Sequence, residues 1–529
     1  MNNKNYKNKK HQTNKQNASV QQIKLDKKNT GSKLNEMLAG RKMLLILAFV
    51  ITTITTITYY PMFKNEITNW DDDKYIVENP YLQKLDGNTI KQIFSDYYMG
   101  NYHPLSMLSL SIDYKIGGKD KDGKIKPWIY HSTNLILHII SSLLVFFFVY
   151  VLFRNITVAA VAGILFGVHT LHVESIVWIS ERKDVLYTAF FVASLLFYTY
   201  FARNGKIIYY ILAFVLFILS LLSKGQAVSL AVTLIAIDYF LDRKLLSMRV
   251  ILEKIPFFIL AVIFGIIAIK AQKAGEAMQD IQDYEFYKRI GFAGYGFAMY
   301  LIKLVLPLNL SAIYPYPDIL NRSIPVHYWA FMIPTLLSII AFFYYYKRSK
   351  QITFSIAFFI INIVLLLQLI AVGSAIYADR YAYIPSIGFF ILIGWITFLL
   401  IKKYSSMRVV ILSIVGIYSI VLIFFTWDRI KVWKDSATLW DDVVKKQPKA
   451  VVAWNNRGSI KDKEGRHAEA IEDFTRAIEY KPDYTHAFYN RGTAKKDLGN
   501  ERNDIEMLKS ALADFDKSLQ ISPHILPIK

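Results

Sequence analysis

The stretch MLLILAFVITTITTITYYPMF, residues 43–63, is an unbroken apolar run without a charged residue. At 1.5 Å rise per residue its length matches the roughly 30 Å hydrocarbon core of a bilayer, so it reads as a membrane-spanning helix. No small-residue cleavage site follows it, and it is therefore expected to be retained rather than removed as a signal peptide. The whole chain agrees with this reading. Its 529 residues are 54% hydrophobic and only 19% charged, with mean hydropathy +0.28. A soluble core does not need so much apolar surface; a bilayer does.

The formal net charge of +21 sits largely in short clusters between apolar runs. That pattern is membrane topology, not a nucleic-acid footprint. Cysteine is absent, which excludes disulfides and thiolate metal sites. Residues 1–42 are polar and rich in Asn, Gln and Lys, and are expected to form a disordered basic cytoplasmic tail.

Further apolar runs place candidate spans near 131–153, 157–174, 185–202, 207–222, 226–241, 251–271, 328–346, 351–371, 381–401 and 409–427. Loop charge sorts them. With the tail inside, Arg154, "ARNGK" (202–206), "DRKLLSMR" (242–249), "YKRSK" (346–350) and "KKYSSMR" (402–408) all fall inside. Both Arg249 and Lys347 being inside requires an even number of crossings between them. Of the three apolar segments there, 289–306 is the one that fails to cross, because Gly291, Gly294, Gly296, Lys303 and Pro307 interrupt it; it is expected to be re-entrant or to lie along the outer face. The expectation is an all-α polytopic bundle of about eleven spans over 43–427. It places the first outer loop at 64–130 and everything after 427 outside.

The carboxyl-terminal region, 428–523, repeats. Pro448 to Pro482 and Gly458 to Gly492 are each 34 residues apart, the tetratricopeptide period of paired helices. The second repeat is longer, with 41 residues from Pro482 to Pro523, and "TLWDDVVKKQP" (438–448) resembles the second helix of a preceding repeat. Two and a half repeats make an α-solenoid that needs a further surface to pack on. Residues 524–529 form a tail.

Polar residues with chemical potential gather on the expected outer side. "NWDDDKYIVENPYL" (69–82) carries Asp71, Asp72 and Asp73 close to the first span. Taken alone the run reads as a solvated loop; at the membrane surface a carboxylate can also take a proton from a hydroxyl, and a neighbouring carboxylate raises its pKa. Trp70 and Tyr75 suit a headgroup zone. "HTLHVESIVWISERKDVL" (169–186) offers His169, His172 and Glu174, then Glu181, Arg182, Lys183 and Asp184. Two histidines alone do not define a metal site, and no metal is assigned. Arg182 and Lys183 run against the positive-inside tendency, as a cation does when it pairs with an acid or holds an anion. Arg380, in "YADRYAYIPS" (377–386), is a second such cation, or one half of a pair with Asp379. "NYHPLSMLSLSIDYKIGG" (101–118) reads as an interfacial segment, with His103 capping it or supporting a site. Lys224 either neutralises a phosphate or snorkels to the surface.

In order along the chain, "WDDDKYIVENPYL", "NYHPLSMLSLSIDY", "YHSTNLILHIISSLLVF", "HTLHVESIVWISERKDVL", "LLSKGQAVSL" with "DYF", "LSAIYPYP" and "DRYAYIPSIG", followed by the repeats, resemble the bacterial relatives of the transmembrane-and-tetratricopeptide-repeat (TMTC) protein O-mannosyltransferases. The resemblance covers about 43–523. It implies the glycosyltransferase C membrane fold, a polyprenyl-phosphate-linked sugar donor and a paired acidic motif in the first outer loop. Asp71 and Asp72 match that pair, with Asp73 in the following variable position, so which two act is open. "NYHP" departs from a common form with arginine where His103 stands.

On this resemblance the chain is an inverting glycosyltransferase of a bacterial cell membrane. Asp71 or Asp72 would take the proton of a Ser/Thr hydroxyl, while Arg182, Lys183 or Arg380 would stabilise the leaving lipid phosphate. Asp73, His103, His172, Glu174, Asp184 and Lys224 are supporting candidates. No cofactor is firmly implied, and nothing indicates a divalent metal. The partners expected are a lipid-linked mannose or other hexose and a protein or peptide acceptor held by the repeats, with no nucleic acid. The alternatives are a membrane scaffold or lipid-linked-sugar translocator with protein-binding repeats, and a glycosyltransferase acting on glycan or lipid.

Overall fold

The computed structural model describes residues 40–275, 284–317, 323–369 and 375–522. Most of the expected cytoplasmic tail and the final tail therefore lie outside the described residues. The chain divides at Thr53; up to that point the described part is apolar helix with largely exposed side chains such as Leu45 and Phe49.

Apolar helices dominate. Seven are long and apolar enough to cross a membrane: Gly40–Lys64, Pro127–Phe153, Ile179–Asn204, Met248–Ala274, Val326–Tyr345, Ser386–Lys403 and Ser405–Val432. Ile156–Val168 and Thr170–Val177 form a pair bent by 50° that adds an eighth. Ile207–Ser223, Gly225–Phe240 and Lys350–Leu366 are shorter apolar helices. These coincide with the expected spans one for one, the last three being 17 residues or shorter. Strand is confined, among the described residues, to the antiparallel pair Tyr314–Pro315 and Ala375–Tyr377.

Local chemistry sets the breaks. Helix Pro127–Phe153 opens on proline, whose missing N–H costs nothing in a first turn, and ends where Arg154 adopts a left-handed conformation, φ 54°. Asn155 then caps the next helix, its Oδ1 accepting from the N–H groups of Thr157 and Val158 at 3.0 and 3.1 Å. Two helices are thus joined with no loop to spare.

The segment expected to be interrupted at 289–306 is instead one continuous helix, Phe286–Val305. Its glycines do not break it; they let the following helix approach. A Cβ on Gly291 would meet the Trp329 ring at 3.4 Å, and one on Gly294 would meet Met332. The helix is not among those apolar enough to cross, and Lys303 is buried with its ammonium donating to the carbonyls of Leu308 and Asn309.

Small residues also seat Ser386–Lys403 between two neighbours. A Cβ on Gly388 would lie 2.6 Å from the Ser355 carbonyl, and one on Gly394 would lie 3.1 Å from Val158 Cα. Helices meet this closely in a bilayer when contact and dispersion, rather than water exclusion, must hold them.

After the last long helix come Ser436–Lys446, Val451–Lys463, His467–Tyr480, Thr485–Arg502 and Ile505–Ile521, the helices expected of a half repeat and two hairpins. Gly458 and Gly492, at equivalent places, admit the rings of Phe474 and Phe515, which would lie 2.8 and 2.9 Å from an added Cβ. Arg457 and Arg491 repeat a bidentate grip on Asp473 and Asp514.

Gly394→Val is expected to cost about 1–3 kcal/mol through overpacking, read as a lower thermal unfolding midpoint in detergent. Gly416→Val, where nothing lies within 4 Å, should leave the midpoint unchanged.

Candidate active site

The acidic run stands between two anchors. Asp72 is the inner one. Its buried carboxylate accepts from the Thr68 N–H and hydroxyl at 3.1 and 3.0 Å through one oxygen. Through the other it accepts from the Ser180 N–H at 2.9 Å and the Ser180 hydroxyl. Burial outweighs these four donors and pushes its pKa up to about 6. A carboxylate so saturated ties the first loop to the 179–181 turn and has no lone pair directed at a substrate.

Asp71 differs. It is partly exposed, and among the described residues nothing donates a hydrogen bond to its carboxylate. Burial raises its pKa, opposed first by Lys183 and then by Arg380, with Glu181 and Asp73 raising it further. A carboxylate with open lone pairs and a raised pKa is the kind that can accept a proton. Asp73 faces outward, bonds the N–H of Lys74 at 2.9 Å and starts a single π-turn over Asp73–Val77.

Arg182 and Lys183 are neighbours on one helix and point apart. Arg182 is fully buried and spends its guanidinium on Asn134, on Ser109 Oγ at 2.7 Å, on Asp113 at 2.5 Å and on the Tyr130 carbonyl at 2.9 Å. Its guanidinium is committed to protein acceptors. Among the described residues Lys183 makes one ion pair, with Glu181 at 3.2 Å, and sits 5.2 Å above the Tyr75 ring.

Glu181 is a hub that the sequence does not single out. Lys183, Lys224 and Arg380 all reach it, at 3.2, 3.3 and 3.4 Å. Lys224 binds Asp184 more closely, at 2.5 Å, and is a site-facing cation rather than a snorkelling one. Arg380 also pairs with Glu174, whose other oxygen takes the Arg380 N–H at 3.2 Å. An Asp379–Arg380 pair, one reading of the sequence, does not form; Asp379 accepts from the Tyr314 hydroxyl at 2.9 Å. Glu174 and Asp184 thus orient cations. His172 lies in the core, bonded to the Phe166 carbonyl and to Ser386 Oγ, and His169 bonds the Leu304 carbonyl. These histidines join helices and do not converge on a metal position.

Trp70 and Tyr75 do not form a headgroup belt. Tyr75 is buried, and Trp70 stacks on Trp178 at 4.2 Å with an 11° tilt, under the Arg380 guanidinium. Trp433 and Trp440 close the cluster.

Lys183, Lys224 and His103 stand at one end of a cavity of about 260 Å³ whose other walls include Phe264, Ala268 and Leu365. Gly100 helps to shape the rim: at φ +69° it occupies the left-handed region and comes against Gly275, while Gln272 donates to the Gly100 carbonyl at 2.8 Å. His103 is buried with both ring nitrogens lacking hydrogen-bond partners among the described residues. Burial, and secondarily Lys183, lowers its pKa to about 3, so the ring is neutral near pH 7. The helix that supplies Phe264 and Ala268 otherwise exposes Ile251, Ile255, Ile259, Val262 and Ile266, a surface that suits lipid.

A polytopic helical membrane protein carrying tetratricopeptide hairpins is thereby defined, and a Tetratricopeptide repeat model matches residues 451–484. Over most of its length the chain is similar to human protein O-mannosyl-transferase TMTC3, 23% identical across 87% of this chain and 53% of that protein. It is similar also to the Caenorhabditis elegans protein O-mannosyl-transferase F38B6.6, 24% identical across 82% of this chain and 63% of that one. Human protein O-mannosyl-transferase TMTC2 matches a shorter part, 35% identical over 98 residues, covering 18% of this chain and 11% of that protein. Its homologues are thus TMTC O-mannosyltransferases, as the ordered motifs imply. The chain spans little more than half to about two thirds of the length of the two long matches.

Asp72→Ala leaves four buried donors without an acceptor and is expected to destabilise the protein by at least about 2 kcal/mol. Asp71→Ala, which leaves none, should leave the unfolding midpoint in detergent essentially unchanged.

Proposed function

We propose that this chain is a membrane glycosyltransferase that moves a hexose from a polyprenyl-phosphate carrier to a Ser/Thr hydroxyl of a protein. The observation that carries the reading is Asp71: a carboxylate without a hydrogen bond among the described residues, beside Lys183, which itself lines a cavity with a cationic end and apolar walls. A lipid-linked phosphosugar has that same two-part chemistry. The similarity to proteins named O-mannosyl-transferases favours mannose as the hexose.

In the proposed reaction the acceptor hydroxyl oxygen attacks the anomeric carbon and its proton passes to Asp71. The bond from that carbon to the phosphate oxygen breaks, and the electron pair leaves with the lipid phosphate. One displacement inverts the anomeric centre. Lys183, with one ion pair and two further N–H donors, is the cation best able to meet the growing phosphate charge. Lys224 and Arg380 supply field from positions fixed by Asp184 and Glu174. Asp72 holds the loop and takes no proton. His103 offers a neutral ring nitrogen to the donor.

The positive-inside pattern supports an outer-face site with the amino terminus in the cytoplasm, and a bacterial cell membrane is the compartment we infer. The repeats are read as the acceptor-recognition surface. Incubation of purified protein with a panel of polyprenyl-phosphate hexoses and peptide or protein acceptors, followed by mass spectrometry, tests the reading. Transfer to Ser/Thr supports it; transfer only to glycan or lipid would reassign the acceptor; no transfer from any donor would leave a scaffold or translocator.

Asp71→Asn is expected to lower turnover by about 10²–10⁴-fold, the range of general-base loss, with folding intact. Because the base must be ionised and its pKa is raised, kcat/KM should fall with decreasing pH through a limb lying above the ordinary aspartate value of about 4. A pH–rate profile with its limb at or below that value would remove Asp71 from the role. Lys183→Gln should lower turnover more than Lys224→Gln does, and Arg182→Lys should chiefly lower the unfolding midpoint.

A further inference from the structure

We propose that Asn69 and Trp70 are positioning residues through which the root of the repeat region holds Asp71 in place, so that the repeats form part of the catalytic scaffold rather than a tethered recognition arm. The inference rests on the reading of Asp71 as the base. It starts from a deficit: among the described residues nothing hydrogen-bonds the Asp71 carboxylate, so its place is set by its chain neighbours.

On one side stands Asp72, fixed to Ser180. On the other, Asn65, Glu66, Asn69 and Trp70 are tied to the end of the last long helix and to the chain beyond it. Asn65 Nδ2 donates to the Ile430 carbonyl at 3.0 Å, and the Glu66 N–H to the Lys434 carbonyl at 2.7 Å. The Asn69 N–H donates to Ser436 Oγ at 2.9 Å. Trp440 Nε1 donates to Asn69 Oδ1 at 2.6 Å, while Asn69 Nδ2 donates to the Asn456 carbonyl at 3.2 Å. Asn69 thus bridges Ser436–Lys446 and Val451–Lys463, and both faces of its amide are used.

Trp70 adds the second grip. Its ring lies between Trp178, at 4.2 Å, and the indoles of Trp433 and Trp440, at 6.2 and 5.4 Å. Arg380 lies 5.7 Å from the Trp70 ring and 5.4 Å from that of Trp178. One indole therefore packs together the residue before Asp71, a cation beside it, the end of the last long helix and the helix Ser436–Lys446. Lys463 on Val451–Lys463 further acts on the charge of Asp73. Displacement of a reacting group by about 1 Å costs on the order of 10²-fold in rate, so releasing part of this bracket should register in turnover.

The test uses the full-length protein. Trp440→Phe keeps an aromatic ring and removes the N–H to Asn69; Asn69→Ala removes the acceptor. Each is expected to lower kcat about tenfold or more with donor KM unchanged. The double variant should be no slower than Asn69→Ala alone, since the one hydrogen bond removed by Trp440→Phe is among those that Asn69→Ala already removes. Hydrogen exchange at Tyr75, whose N–H closes on the Asp71 carbonyl at 2.9 Å, should quicken in each. Trp454→Phe removes another indole hydrogen bond in the same region, to the Pro448 carbonyl, and should change neither.

Unchanged kcat, multiplicative losses in the double variant, or an equal loss from Trp454→Phe would each overturn the proposal. Should the wild type transfer no sugar, the functional reading fails separately, and exchange at Tyr75 still decides the bracket: quickened in Trp440→Phe it stands, unchanged it falls.

Discussion

The carboxylate of Asp72 is the contact on which the site depends. Burying an ionised carboxylate costs several kcal/mol unless donors replace the lost water, and here four donors from Thr68 and Ser180 offset part of that cost. The two residues belong to distant parts of the chain, so their shared acceptor pins the first loop onto the 179–181 turn. That turn begins the helix bearing Arg182, Lys183 and Asp184. Without the pin, Asp71 has no reason to lie near Lys183. The acidic run thus divides its labour: one aspartate is spent on structure so that its neighbour can remain unspent.

The cations follow a similar economy. Arg182 is buried and satisfied by Asp113, Asn134, Ser109 and Tyr130, and it holds the helix Pro104–Gly117 against the bundle. Lys183, Lys224 and Arg380 share Glu181, and each contact to it is 3.2 Å or longer. One carboxylate divided among three cations binds none of them tightly. Lys224 and Arg380 have closer partners in Asp184 and Glu174; Lys183 does not. An arriving anion would therefore compete least against existing contacts at Lys183.

The membrane helices and the repeat hairpins are legible in the sequence because both rest on periodicity. Runs of about twenty apolar residues announce spans, and Gly458 to Gly492 announces the repeat. The glycines of 289–306 mislead: they mark close approach by Trp329 and Met332, which pattern alone does not separate from a break. The acidic pair is legible as a pair, whereas the difference between its members is not, because it depends on Ser180 lying 108 residues away. Arg182 and Lys183 look alike as adjacent cations. A helix turns about 100° per residue, and that rotation sends one into the core and the other to the cavity. Trp70, Trp178, Trp433 and Trp440 are scattered through the sequence and meet only after folding. Glu181 is hidden for the same reason.

The bracket around Asp71 bears on why repeats and membrane helices share one chain. A base that acts on a protein hydroxyl must meet a side chain presented by a large, independently tumbling molecule. If the repeats hung on a flexible tether, binding there would raise the local concentration of acceptor without fixing its distance from Asp71. On the proposed function, joining through Asn69 and Trp70 puts the root of the repeats and Asp71 in one frame, so that an acceptor held by the hairpins would also be held at a set distance from the carboxylate. The entropy of alignment is then met on binding rather than at the chemical step. The same joint demands that the six residues from Asn65 to Trp70 stay anchored at both ends, which the contacts of Asn65 and Glu66 with Ile430 and Lys434 and those of Asn69 with Ser436, Trp440 and Asn456 provide.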